Sequence, residues 1–144
     1  MPVSGFVKYF VEDLAPGQTA YLKKTVSEKD ITCFAEVTGD ANPLHLDEEY
    51  AATTMFKGRI AHGMLTAGII SAVLGTELPG PGAIYMSQNL KFRAPVRIGD
   101  TVTARVTVED VIMEKKRVKL HCVCTVDDDV VMEGDALMMV PARG

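Results

Sequence analysis

The residues best suited to chemistry sit in one short window, TGDANPLH, from Thr38 to His45. Asp40 offers a carboxylate and His45 an imidazole, the side chain most readily tuned near neutral pH. A carboxylate and an imidazole around one water form a general acid–base pair. Between them, Asn42 tolerates turn geometry and Pro43 fixes its own φ, so a kinked segment can bring the two side chains together. The same residues also have a plainer use. Asp40 can satisfy loop backbone groups and His45 can cap the next helix, and a motif this short decides nothing alone.

A second candidate lies in IAHGML, where His62-Gly63 precedes an apolar run. A helix N-terminus there offers unpaired N–H groups and the positive end of the helix dipole. Glycine lets a ligand approach that backbone closely. Gly63 is thus a candidate oxyanion donor, with His62 beside it as a candidate ligand contact. Alternatively, Gly63 only permits the turn into the helix and His62 packs or caps. Ser71, in the apolar GIISAVLG, either bonds back to a carbonyl one turn earlier or leans toward a substrate tunnel. Gly68 on the same helix suits close packing against a strand or a partner. The three histidines, His45, His62 and His121, show neither the His-x-x-x-His nor the Cys-x-x-Cys spacing of a zinc site, so no metal is expected.

These residues need elements to position them. TVSEKDITCFAEVTG reads as a helix, with Ser27 as N-cap, Asp30 three residues on and Gly39 as the stop. LDEEYAATTMF reads as a second, shorter helix capped by Asp47. HGMLTAGIISAVLG is apolar nearly all round, as a helix buried on most sides would be, and Gly75 should end it. After Pro79-Gly80-Pro81-Gly82 the apolar period changes to two. Inward sets are expected at Ile84, Met86, Leu90 and Phe92, then at Val102, Ala104, Val106 and Val108. The next are Val118, Leu120, Cys122, Cys124 and Val126, then Val130, Met132, Ala136, Met138 and Val140. The short polar connections Glu114-Lys115-Lys116 and Asp127-Asp128-Asp129 predict an antiparallel meander of the last three strands. YLKKTV can add one strand more. An antiparallel sheet with an apolar face and one very apolar helix to cover it give an α+β class. A sheet curved around that helix, the hot-dog fold, satisfies both.

Composition narrows the setting. The 144 residues suit one domain, 1–144, large enough to bury a core without staples. A net charge of −4 argues against a nucleic-acid partner. The longest apolar segment, Met64 to Leu74, is far short of the roughly 20 residues that span a bilayer. MPVSGFVKYFVEDL lacks the basic start and apolar run of a signal peptide. Three cysteines, two of them in Cys122-Val123-Cys124, read as core thiols in a reducing compartment, and the expected location is cytoplasmic.

The stretch FAEVTGDANPLHLDEEYA resembles the hydratase-2 motif of MaoC-like hydratases. That motif is an aromatic, then Gly-Asp-x-Asn-Pro-aliphatic-His, then a small residue six positions on. Phe34, Gly39, Asp40, Asn42, Pro43, Leu44, His45 and Ala51 match it. With AATTMFKGRIAHGMLTAGIISAVLG and LPGPGAIYMSQNLKFRAPVRIGDTVTARVTV, the likeness to short monofunctional bacterial (R)-specific enoyl-CoA hydratases runs from Gly17 to Pro141. It implies a hot-dog domain, a homodimer and syn hydration of a trans-2-enoyl thioester without a cofactor. Asp40 and His45 would carry over as the catalytic dyad, Gly63 as the oxyanion donor, Asn42 as the dyad's support and Ser71 as an active-site serine. Leu74 would line the acyl tunnel. Lys57, Arg59, Lys91, Arg93 and Arg97 would offer charge to the CoA phosphates. The resemblance leaves three alternatives open: dehydration of a 3-hydroxyacyl group on acyl carrier protein, thioester hydrolysis, and non-catalytic binding of an acyl thioester.

Overall fold

The period-two segments become five strands in the computed structural model, which describes residues 5–144; Met1 to Ser4 of the N-terminal segment lie outside the described residues. The strands are β1 (Thr19–Thr25), β2 (Ile84–Phe92), β3 (Thr101–Ile112), β4 (Arg117–Val126) and β5 (Asp129–Met139). Every pairing is antiparallel, in the order β1-β3-β4-β5-β2. The last three strands form the expected meander, and YLKKTV supplies β1. Asp127 and Asp128 turn the chain between β4 and β5 at φ 50° and 69°, a region where aspartate is tolerated.

Helices α1 (Glu28–Thr38), α2 (Pro43–Leu46), α3 (Glu48–Ala52) and α4 (Gly63–Thr76) complete the structure. The inward residues of β3 and β4, Val102 to Val108 and Val118 to Cys124 at alternate positions, are buried in one core cluster with Ile70, Val73 and Leu74 of α4. The sheet thus wraps α4 in the hot-dog arrangement. Burial in this layer pushes the Cys122 thiol up to about 11 and the Cys124 thiol up to about 12.

Three expectations need correction. In β5 the inward position falls on Val131, and Val130 is exposed. A register shift between Cys124 and Thr125 leaves Val131 as the extra residue, so Val131 and Met132 are both buried. Such a bulge reverses the facing of everything before it. In β2, Ile84, Met86 and Phe92 are exposed rather than inward. β2 is an edge strand bonded only to β5, with its own register shift after Tyr85, whereas α4 packs chiefly on β3, β1 and β4. Finally, Gly75 does not end α4, and the helix, buried on most sides as expected, has one exposed side. Met64, Gly68, Ser71 and Gly75, three or four residues apart, form an exposed stripe, and the helix continues one residue past Gly75. Among the described residues, no helix is long and apolar enough to cross a membrane.

Candidate active site

Local hydrogen bonds dictate the path from Thr38 to His45. α1 starts at a capping box: Ser27 Oγ accepts the Asp30 N–H at 3.1 Å, and the Asp30 carboxylate accepts the Ser27 N–H at 2.9 Å. It ends at Gly39, whose φ of 82° suits glycine. Thr38 Oγ1 donates to the Phe34 carbonyl at 2.7 Å and accepts the Asp40 N–H at 3.1 Å. Asp40 Oδ1 accepts the Asn42 N–H at 3.3 Å, and Asn42 Oδ1 accepts the Leu44 N–H at 3.0 Å. Asn42-Pro43 is therefore more than a bend. Asn42 is the N-cap of α2 and Pro43 its first residue, where a missing N–H costs nothing. That single turn carries His45 inward until it is 8 % exposed. Ala51 of α3 is wholly buried, which accounts for a small residue at that place in the motif.

The Ile60–Gly63 segment meets His45 from the other side. His45 Nδ1 lies 2.8 Å from the Ile60 carbonyl. A carbonyl only accepts, so Nδ1 carries the hydrogen and Nε2 of the neutral ring keeps a lone pair for the cavity. His62 Nε2 donates to the Asp40 main-chain carbonyl at 2.9 Å. The His62 ring stacks on His45 with centroids 3.9 Å apart and planes at 30°, and lies 4.7 Å from the Phe34 ring. A carboxylate oxygen of Asp40 and one ring nitrogen each from His45 and His62 all lie within 4.8 Å of one another. The Asp40 carboxylate and the His45 ring are thus close enough to hold one water between them. The sequence search for paired metal-ligand spacings missed this cluster, because His62 reaches it from a distant segment.

The cluster opens into a cavity of about 550 Å³ lined by Asp40, His45, His62 and Gly63, with apolar walls that include Phe56, Met64, Phe92 and Val131. Gly63 is the first residue of α4, where N–H groups lack an acceptor within the helix. A Cβ on Gly63 would stand 2.6 Å from the Phe92 ring, so glycine is what lets that ring pack against the start of α4.

The remaining candidates fall elsewhere. Asn42 stays exposed at its cap and does not line the cavity. Ser71 is on the exposed stripe of α4, eight residues and about 12 Å along the axis from Gly63. Leu74 is fully buried in the core. Of the five cations, Arg93 alone lines the cavity, paired with Glu133 at 2.9 Å. That guanidinium holds the Glu133 carboxyl below its ordinary range. Arg59 works instead as a tie. Its Nε donates to the His45 carbonyl at 2.6 Å while its terminal nitrogens reach Glu28 at 2.7 and 3.1 Å, fastening α2 to the start of α1. Arg97 donates to the Phe56 carbonyl at 2.6 Å. Sequence reasoning also missed Val131 as cavity wall, because the bulge that turns it inward shows only in the pairing of β4 with β5.

The chain has close relatives in sequence and in backbone. The family described as MaoC like domain matches residues 13–131. The chain is 60 % identical to the (R)-specific enoyl-CoA hydratase of Rhodospirillum rubrum over 144 residues, the whole of both chains. It is 58 % identical over 137 residues to the 3-hydroxybutyryl-CoA dehydratase of Methylorubrum extorquens, covering 95 % of this chain and 87 % of that one. Among solved structures, the R-hydratase of Pseudomonas aeruginosa superposes with a TM-score of 0.87 at 42 % identity, over 93 % of this chain and 86 % of that one. Similarity this extensive in sequence and in backbone means that the chain belongs to the MaoC-like family.

Proposed function

We propose that the protein catalyses reversible syn addition of water to trans-2-enoyl-CoA, giving (R)-3-hydroxyacyl-CoA. The observation that carries this reading is the clustering of the Asp40 carboxylate with a His45 ring nitrogen at an apolar cavity that also holds the N-terminus of α4. Asp40 and His45 hold one water. Its oxygen bonds to C3 of the enoyl group, one of its protons passes to the pair, and a proton is returned to C2 on the same face. Electron density moves onto the thioester oxygen as the C2–C3 double bond is consumed. The Gly63 N–H and the dipole of α4 stabilise that charge. His45 suits the base role because the Ile60 carbonyl fixes its tautomer. These residues supply the acid, the base and the oxyanion donor, so the reaction as written calls on no metal or redox cofactor.

The acyl-CoA enters with its chain along the apolar walls and Arg93 near the entrance. In our reading the chain forms one domain over 1–144 and acts as a homodimer. The exposed stripe of α4, with Ser71 on it, and the exposed apolar residues of β2 support a second copy as the cover. Ser71 and Leu74 would then complete the substrate tunnel from the α4 side, and Asn42 would support the dyad through its cap. The three free cysteines suit a cytoplasmic location.

The test is hydration of short trans-2-enoyl-CoA by purified protein, with product configuration read by an (R)-specific coupling enzyme. Turnover to the (R) product is expected. Release of free thiol from a saturated acyl-CoA without hydration would overturn the reading in favour of a thioesterase. Comparing CoA with carrier-protein thioesters fixes the substrate carrier.

A further inference from the structure

His62 is the N-cap residue of α4, yet its side chain makes no capping bond. It is 2 % exposed. With Nε2–H committed to the Asp40 carbonyl, Nδ1 is left with a lone pair, and that atom is buried without a partner among the described residues. An unpaired buried nitrogen works against folding. Phenylalanine in this place would keep the ring contacts and remove the orphaned atom. What it could not do is donate to Asp40. The same side chain thus touches both members of the reacting pair: it bonds the backbone of Asp40 and lies against the ring of His45. Its own main chain leads directly into Gly63.

We propose that His62 is a positioning residue, whose Nε2–H bond to Asp40 and stack on His45 set the separation of the carboxylate and the imidazole base. The inference rests on Asp40 and His45 being the pair that activates water. Asp40 lies in an exposed turn, so without His62 its carbonyl can rotate to solvent and take the carboxylate with it. His62 itself touches neither the water nor the acyl group in this role.

The test uses the full chain with His62→Phe, His62→Gln and His62→Asn, measuring kcat, KM and Tm with a short trans-2-enoyl-CoA. His62→Phe keeps a stacked ring without the donor. Its kcat should fall about 10- to 100-fold, the usual effect of losing a group that orients a reacting residue, with KM within about twofold and Tm little changed. The Gln amide nitrogen reaches the place of Nε2 and should recover several-fold over Phe. The Asn amide reaches only the place of Nδ1 and should not. Wild-type kcat in His62→Phe would overturn the proposal, as would a rise confined to KM, the mark of a substrate contact. A kcat loss that merely follows Tm across all three variants would also overturn it.

Side-chain ¹⁵N spectra of the wild type give a test that no variant's folding can spoil. They should show His62 protonated at Nε2 and His45 at Nδ1, and the opposite tautomer at His62 would overturn the proposal. Failure of the hydratase reading appears as an inactive wild type, whereas failure of the positioning role appears in the variants or the tautomers of an active one.

Discussion

Asp40–His45–His62 and Glu109–His121–Asp135 are built from the same kinds of side chain, and in each the ligand-type atoms lie within 4.8 Å of one another. In the first cluster His45 and His62 are buried, and each ring has one nitrogen held by a main-chain carbonyl. In the second, the His121 side chain is 44 % exposed on the outer face of the sheet. Its Nδ1 faces Asp135 at 3.5 Å and Glu109 at 3.8 Å, with no carbonyl among the described residues to fix the ring. Glu109 sits at the register shift between β3 and β4, which turns it toward its neighbours. The first cluster opens into an apolar cavity; the second meets water. Proximity of an acid and a histidine is therefore cheap on a sheet surface, where such pairs contribute little. A defined tautomer beside an apolar cavity is what makes the first cluster fit for acid–base work.

Four substitutions sharpen or break this contrast. Asp40→Asn and His45→Ala should each lower kcat by about 10²- to 10⁴-fold, the contribution of a positioned acid–base group. Full activity in either folded variant would erase the distinction between the clusters. Gly63→Ala forces a methyl against the Phe92 ring and displaces the first N–H of α4. A kcat loss of roughly tenfold or more is expected, somewhat below that of deleting an oxyanion donor outright. Adding Phe92→Leu to make room should restore part of it. No recovery in the double variant would show that crowding is not the cause. His121→Ala should leave kcat within about twofold and stability within about 0.5 kcal/mol by denaturant titration, as for an exposed pair. A large kcat loss there would mean that the outer cluster also serves the reaction.

Much of the fold was legible because local rules act within a few residues. Ser27 and Asp30 close a capping box with no help from the rest of the chain, and Gly39 ends α1 through its own φ. Alternation in β3 and β4 points to the buried residues directly, since both strands lie in the middle of the sheet with α4 over them. In β5 and β2 the same alternation misled. A bulge shifts parity at Val131, and β2 lies at an edge that meets α4 less than the central strands do. Asp40, His45 and Gly63 were candidates from residue type and family likeness, and the fold gathers them at one cavity. Arg59 looked like a free cation and is in fact a tie between α1 and α2.

The sequence by itself singled out candidate residues for chemistry and the short elements that hold them. A capping serine, an N-terminal proline and a glycine stop are local devices, and an Asp-x-Asn-Pro-x-His motif keeps its members close in the chain. Only the tertiary structure decided which nitrogen of His45 and of His62 is free. The deciding acceptors, the carbonyls of Ile60 and Asp40, lie 15 and 22 residues from the rings they hold. A hydrogen bond depends on distance in space, and folding alone sets that distance.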